Sequence, residues 1–308
     1  MTERNSTPDF SIVIVNWNGV DFLRACLRSI LADSAGLSVE TIVVDNGSID
    51  GSVEEASRIH PGVVVLPQGR NLGYVPANNI GLTAATGRFT MFLNNDAELR
   101  PGCLSTLRDF LDVHADVGAA GGQILNPDGT DQGCARRFPT FMNGIFGRRS
   151  VLTRLWPNNP WAWRYMLGRH HLSDEPFEVD LLSVACLVMR TDLCKELGGM
   201  DESFTLYWVE SELLGRLRRM GYKIYCVPRA KIIHHEGKGG STKTFRQRCR
   251  MTFAFNRDAY LAYTKYHQLS RWSLKRVFAA LALSTRAGLL MGLQLLRPTR
   301  PTSSGGRN

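Results

Sequence analysis

Short apolar runs alternate with stretches of helical period along the first 125 residues. Phe10–Val15 (FSIVIV) is a β-branched run that predicts a buried strand, closed by Asn16-Trp17-Asn18-Gly19. Asp21–Ala32 places Phe22, Leu23, Cys26, Leu27, Ile30 and Leu31 at helical spacing. Thr41–Val44 predicts a second strand ending in Asp45-Asn46-Gly47-Ser48, and Ser52–His60 a second helix. Val63–Leu66 is a third strand, followed by the Gly- and Asn-rich loop Gln68–Tyr74 and a helix over Ala77–Ala85. Phe89–Leu93 is a fourth strand, Leu104–Val113 a helix and Val117–Ile124 a small-residue strand. Strands alternating with helices at this spacing predict βαβ units, an α/β fold and a mostly parallel sheet.

The pattern breaks between Gly133 and Ser173, where Arg136, Arg137, Arg148, Arg149 and Arg154 precede aromatics from Trp156 to Tyr165. This reads as an irregular, partly helical insertion that faces an acceptor, a membrane surface or a diphosphate, or is a solvated face with packing aromatics. Regularity returns with a long strand-like run, Glu178–Arg190, and a helix Asp192–Leu197 capped by Thr191 and stopped by Gly198-Gly199. Phe204–Trp208 leads into a helix ending near Met220; Lys223–Val227 and Lys231–His234 are strands separated by Pro228. A basic helix over Phe245–Tyr266 and another over Trp272–Leu296 follow, and Pro298–Asn308 reads as disordered. Val277–Leu296 carries only Arg286 as a charge, long enough to span a bilayer; its flanking cations favour an interfacial helix, with a span or packing on the main domain as alternatives. The expected division is a main domain over 1–243, split into halves 10–125 and 126–243, then a helical extension over 244–297 and a tail over 298–308.

At 44% hydrophobic and 21% charged, the 308 residues are ordinary globular composition. The net charge of +9 points to an anionic partner: nucleic acid, anionic lipid or a phosphorylated substrate. Nucleic acid ranks last, because no binding motif accompanies the charge. Seven scattered cysteines without CxxC spacing argue against a zinc site or disulfide scaffold and for a reduced cytosol. The polar N-terminus lacks an apolar signal core, so export is not expected.

Three of the four first strands end in Asn or Asp. In open α/β sheets ligands bind beyond the carboxyl ends of the strands, so Asn16, Asp45 and Asn94-Asn95-Asp96 together suggest one binding edge. A carboxylate beside two amides suits Mg²⁺ or Mn²⁺ carrying a diphosphate. Taken alone, the Asn-Asn-Asp triplet is also an ordinary turn.

The segments SIVIVNWNG (11–19), VVDNGSIDGS (43–52), GRNLGYVPANNIGL (69–82), FLNNDAEL (92–99), ARRFPT (135–140), SVACLVMR (183–190), GGMDESF (198–204), FTLYWVESELLGRLRRMGYKI (204–224) and PRAKIIHHEGKGGST (228–242) resemble, in order and spacing, the family 2 glycosyltransferases of the rhamnosyltransferase-like branch. The resemblance covers roughly residues 10 to 245. It implies a GT-A fold, a Rossmann-like sheet flanked by helices, and inverting transfer of a sugar, with rhamnose in view, from a dTDP- or UDP-sugar. The implied acceptor is lipid-linked or a cell-surface polysaccharide, at the inner face of the cytoplasmic membrane with peripheral membrane contact; the implied cofactor is Mg²⁺ or Mn²⁺.

By the same resemblance Asp45 reads the nucleobase, with Asn16 beside it, while Asn71, Gly73, Asn79 and Asn95 line the donor. Asp96 binds the metal, and His234 or His235 supports metal or diphosphate. Asp201 and Trp208 fall on the acceptor side. The family's Glu-Asp-x-Asp element departs here to Val209, Glu210 and Glu212, with Glu210 at the place of the catalytic base and Glu212 as its substitute. Val184 stands where the family has a small residue and narrows the sugar pocket. The lost charge at Val209 leaves a second expectation, a non-catalytic GT-A-fold scaffold or partner subunit that binds nucleotide sugar.

Overall fold

The computed structural model describes residues 7–140, 151–167, 173–235 and 244–295. Arg148, Arg149, the Glu236-Gly237 end of the last motif, the 243/244 boundary and the tail from Pro298 lie outside them. The first half forms β1 (Phe10–Asn16), α1 (Val20–Asp33), β2 (Val39–Asp45), α2 (Ser52–Ile59), β3 (Val64–Pro67), α3 (Tyr74–Ala84), β4 (Phe89–Asn94), β5 (Ala97–Leu99), α4 (Cys103–Val113) and β6 (Val117–Leu125). The second forms α5 (Val151–Leu155), α6 (Pro160–Tyr165), β7 (Phe177–Glu178), β8 (Cys186–Arg190), α7 (Thr191–Glu196), α8 (Val209–Arg219), β9 (Lys223–His234), α9 (Phe245–Tyr266) and α10 (Leu274–Leu295).

The nine strands among the described residues join one sheet in the order β3-β2-β1-β4-β8-β6-β9-β5, with β7 on β9. The run β3-β2-β1-β4 is parallel throughout; beyond β4 the sheet is mixed, since β8 pairs antiparallel with both β4 and β6. Both faces are covered, which is why β1 reads as a continuous apolar run rather than an alternation. Phe10, Ile12 and Ile14 join the α1–α4 side of the core, and Val13 joins the α3–α8 side.

Four local expectations change. Glu178–Arg190 is not one strand: Val179–Ala185 leaves the sheet, and Asp180 there accepts from the Phe138 amide (2.9 Å) and pairs with Arg218. Thr191 does not cap α7 but lies within it, its hydroxyl paired with that of Thr90 at 2.8 Å. α3 starts three residues early at Tyr74, because Pro76 falls in the first turn, where the missing N–H costs no helical bond. The two strands around Pro228 are one, with the β6–β9 register shifting between Gly122 and Gln123 to absorb the proline.

The C-terminal extension is not free-standing. α9, opened by a Thr244/Gln247 capping box, packs along α8, and its buried Asp258 carboxylate accepts from the backbone amides of Thr205 (3.0 Å), Leu206 (3.3 Å) and Tyr207 (3.2 Å). α10 folds back antiparallel on α9 through Arg276–Tyr260 (2.7 Å), Arg286–Asn256 (2.7 Å) and Gln294–Thr252 (2.8 Å).

Candidate active site

Strand register builds the binding edge. Asn16 faces Asp45 across β1–β2, and Val15 faces Asn94 across β1–β4, so the three polar strand ends fall in one line. Asn16 is fully buried; its amide donates to Ser52 Oγ (2.9 Å), Ser48 Oγ (3.2 Å) and Asp45 Oδ1 (3.3 Å), and its Oδ1 accepts from Asn95 Nδ2 (2.9 Å). Asn16 therefore ties the β2 loop to the β4 turn. Gly19 is required beside this junction, because a Cβ there would lie 2.4 Å from Asn95 Nδ2. The second oxygen of Asp45 accepts from the Gly47 and Ser48 amides (3.1 and 3.0 Å). Asn46 holds the 68–73 loop by donating to Gly73 O (3.1 Å), and Asn71 accepts from Gly73 N (2.9 Å) where Gly73 turns at φ 97° into α3.

β9 brings a histidine to this edge. Its C-terminal residue His234 pairs with Ala97 of β5, which sets the imidazole Nε2 3.2 Å from Asp96 Oδ1. Gln132 donates from Nε2 to His234 O (2.6 Å) and Asn126 Oδ1 (2.9 Å), so its Oε1, 2.9 Å from His234 Nδ1, is an acceptor. That assignment puts the ring proton on Nδ1 and turns the Nε2 lone pair toward Asp96 and toward the Asn94 amide (3.2 Å). Asn94 Oδ1 in turn accepts from the Tyr74 hydroxyl (3.0 Å). The carboxylate oxygen and the imidazole lone pair, 3.2 Å apart, are close enough to share one cation. A carboxylate and one imidazole fit a divalent ion whose remaining positions go to phosphate oxygens and water. No group of three or more acidic, His or Cys side chains able to hold a metal occurs among the described residues, so substrate oxygens are needed to complete the shell. His235 is turned elsewhere, onto Glu98 (2.8 Å) and the Phe22 ring.

Glu210 stands in the first turn of α8, half-buried. Burial pushes its carboxyl above the usual range, with the Arg136 charge pulling the other way. Burial raises the Tyr74 hydroxyl above its ordinary value, against a lowering hydrogen bond from Asn78, and the charges of Glu210 and Asp96 add to the rise. Arg136 reaches Tyr165 of α6 (3.5 Å), and its buried Nε has no partner among the described residues. Trp208, the N-cap of α8, holds a left-handed backbone at φ 64°, a strained state for a bulky residue, and its buried indole N–H has no acceptor among the described residues.

Glu212 does not join Glu210. Two positions along a helix point to nearly opposite faces. The Glu212 carboxylate, almost fully buried, accepts from Arg216 at 2.8–3.0 Å, and Arg216 also donates to Gly199 O (2.7 Å). Asn79 shares that neighbourhood, exchanging hydrogen bonds with the Met200 backbone (both 2.8 Å) rather than facing the strand ends. Burial raises the Asp201 carboxyl, but its bonds to Lys265 and Ser203 together outweigh that and hold it below its ordinary value. Val184 packs partly buried against the α3–α8 side of the core.

Four residues escaped the sequence reading. Gln132 follows a turn and carries no pattern of its own. Tyr74 lay in a recognised segment but read as loop. Trp17, half exposed beside Asn16, offers an indole face at the edge. Asp258 had one available signal: no acidic residue follows it in the chain.

The family profile described as Glycosyl transferase family 2 matches residues 11–175. The chain is 30% identical over 306 residues to N-acetylglucosaminyl-diphospho-decaprenol L-rhamnosyltransferase of Mycobacterium tuberculosis, covering 94% of this chain and 95% of that one. Among solved structures it is similar to the mannosyltransferase PcManGT of Pyrobaculum calidifontis, determined with GDP-Man and Mn²⁺ (TM-score 0.56, 16% identity, 95% of this chain and 81% of that one). It is also similar to GalNAc-T7, determined with UDP, GalNAc and Mn²⁺ (TM-score 0.58, 16% identity, 93% and 55%). These two likenesses show the fold, the GT-A architecture.

Proposed function

The chain belongs to glycosyl transferase family 2, and from that premise we propose that it moves rhamnose, with inversion, from dTDP-rhamnose to a sugar on a lipid diphosphate. The name of the mycobacterial relative gives a lipid-linked acceptor, which supports the acceptor class and a reading of the work as done at the inner face of the cytoplasmic membrane. The observation that carries the reading is the line of polar strand ends, Asn16, Asp45 and Asn94 in adjacent register, with Asp96 3.2 Å from His234 beside it.

The donor lies along the strand ends, with Asp45 toward the base, the Trp17 indole available to stack on it, and the 71–73 loop over the sugar diphosphate. Asp96 and His234 would hold a Mn²⁺ or Mg²⁺ ion, which when bound would supply charge neutralisation for the departing diphosphate. Glu210 takes the proton of the acceptor hydroxyl as that oxygen bonds to the anomeric carbon and the carbon–oxygen bond to the diphosphate breaks. A carboxyl raised by burial is a stronger base than an exposed one. Asn94 links the Tyr74 hydroxyl to His234, holding the donor-side residues in one relay.

Incubating the protein with a panel of nucleotide sugars, Mn²⁺ and a lipid-diphosphate acceptor tests this. The expected result is transfer from dTDP-rhamnose, with Asp96→Ala slowing it by about 1,000-fold. Absence of turnover with every donor, or an Asp96→Ala rate equal to wild type, overturns it.

A further inference from the structure

The positive charge of this protein is not spread over it. Two stretches, 132–173 and 259–308, contain no Asp or Glu; together they hold fifteen of the thirty-seven Lys and Arg residues and none of the twenty-eight acidic ones. The rest of the chain is therefore net negative, and the whole excess sits in the insertion and in the C-terminal hairpin.

The same two stretches carry exposed aromatics. On α5–α6, Trp156, Trp161 and Trp163 are exposed, as are Arg154 and Arg164, while Ala162 and Tyr165 of α6 face inward. At the hairpin, Trp272 is 83% exposed, and Phe278, Leu281 and Leu289 line the outer side of α10, next to exposed Arg271 and Lys275. The stretches meet at Arg137-Phe138: Arg137 N donates to Tyr165 O of α6 (2.9 Å), and the Phe138 ring stacks on Tyr266 at the end of α9.

α10 is the one helix among the described residues long and apolar enough to cross a membrane, but only 6% of it is buried and it is not arranged to span. Its central charge, Arg286, turns inward to Asn256 and the Phe255 ring, and its partner α9 is anchored to the main domain through Asp258. A span would draw Arg246, Arg250 and Arg257 of α9 into hydrocarbon. In-plane seating instead immerses the outer stripe and leaves the cations at headgroup level, where tryptophan also prefers to sit.

We propose that α5–α6 and the outer face of α10 form one docking surface for an anionic bilayer. The proposal deepens the lipid-acceptor reading by naming the surface that meets the membrane. Acid-free cationic segments meeting anionic headgroups supply the complementarity; a second copy of the same surface would meet like charge.

Flotation of the full-length protein with acceptor-free vesicles, without donor, tests docking independently of turnover. Vesicles of phosphatidylcholine mixed with anionic phosphatidylglycerol are compared with phosphatidylcholine alone. Wild type is expected to float with the anionic vesicles only, with a blue shift of tryptophan emission. Arg271→Glu/Lys275→Glu, Phe278→Ser/Leu281→Ser and Trp161→Ala/Trp163→Ala are each expected to weaken binding about tenfold or more while keeping the wild-type circular dichroism spectrum. Arg108→Glu, a reversal outside both stretches, is expected to bind as wild type. Failure of wild type to bind, equal binding to neutral vesicles, wild-type binding by all three pairs, or a dimer broken by Phe278→Ser/Leu281→Ser in place of vesicle binding overturns the proposal. Docking without transfer to any acceptor would leave the surface standing and overturn only the acceptor assignment.

Discussion

On the proposed donor edge, Asn16, Asp45 and Asn94 end three neighbouring parallel strands, and their positions follow from strand register. On the proposed acceptor side, Glu210 begins a helix entered through a strained Trp208, and the loop before it hangs on one carboxylate from α9. The first arrangement is local and repeated; the second depends on a residue 48 positions away in the chain, from Glu210 to Asp258. Substitutions should therefore separate the two regions, with donor-edge changes altering metal and donor affinity and acceptor-side changes altering turnover at unchanged donor affinity.

The sharpest separation is expected from Glu210→Gln. Loss of the base should lower kcat about 100- to 10,000-fold with the donor KM near wild type. Stability should move the other way. The folded-state value of Glu210 lies above its unfolded value, so the group favours the fold at pH below the ordinary carboxylate value of about 4.3, and that contribution is lost as pH rises through the raised value. At pH 7 the neutral glutamine should raise the melting temperature, and the gain should shrink toward pH 4. In wild type, the acid limb of kcat should sit above the ordinary carboxylate range. A melting temperature unchanged at pH 7 would separate Glu210 from the buried, pKa-shifted carboxyl described here.

Asp258→Asn probes how the acceptor side is held. Its carboxylate satisfies three amides and the Thr205 hydroxyl (2.6 Å), so the asparagine variant should let the 205–207 loop and the start of α8 shift. Displacements near 1 Å cost about 100-fold in rate, so kcat is expected to fall roughly 10- to 100-fold while donor affinity by calorimetry stays put. A fall in donor affinity instead would erase the separation of the two regions.

Gln132→Leu tests the donor edge by its most distant support. Without the Gln132 acceptor, His234 can rotate or change tautomer, and the Mn²⁺ concentration for half-maximal activity should rise about 10- to 100-fold, with kcat recovering at saturating metal. A drop in kcat that metal does not restore would place Gln132 in the fold rather than behind the histidine.

Legibility of the chain follows the same division. The β1–β4 strands and their polar ends were readable because burial on both faces enforces apolar runs and the polar residues begin where the strands stop. The broken 178–190 run was misread because Val179, Leu181 and Leu182 are buried in an irregular segment, and an apolar pattern reports burial rather than extended pairing. Gln132 and Asp258 were invisible because their importance lies in what they touch, which neither periodicity nor motif spacing encodes. Asn79 was assigned to the donor loop by its neighbours Asn71 and Gly73, but one further turn of α3 carries it round to Met200.

Glu212 gives the smallest expected effect on turnover and separates sequence proximity from site membership. It lies two residues from Glu210 and matches a family position that carries an acid, yet its carboxylate is buried against Arg216, which also holds the Gly199 carbonyl. Glu212→Gln keeps the shape and removes the charge. The remaining bonds to Arg216 weaken, and a charge-assisted pair of this kind, with Arg216 partly exposed, contributes about 1–2 kcal/mol. The variant should therefore unfold at lower urea concentration, with kcat within about threefold of wild type below its transition. If kcat falls as it does in Glu210→Gln while the urea midpoint holds, Glu212 rather than Glu210 serves the reaction, and α8 must then present its opposite face to the acceptor.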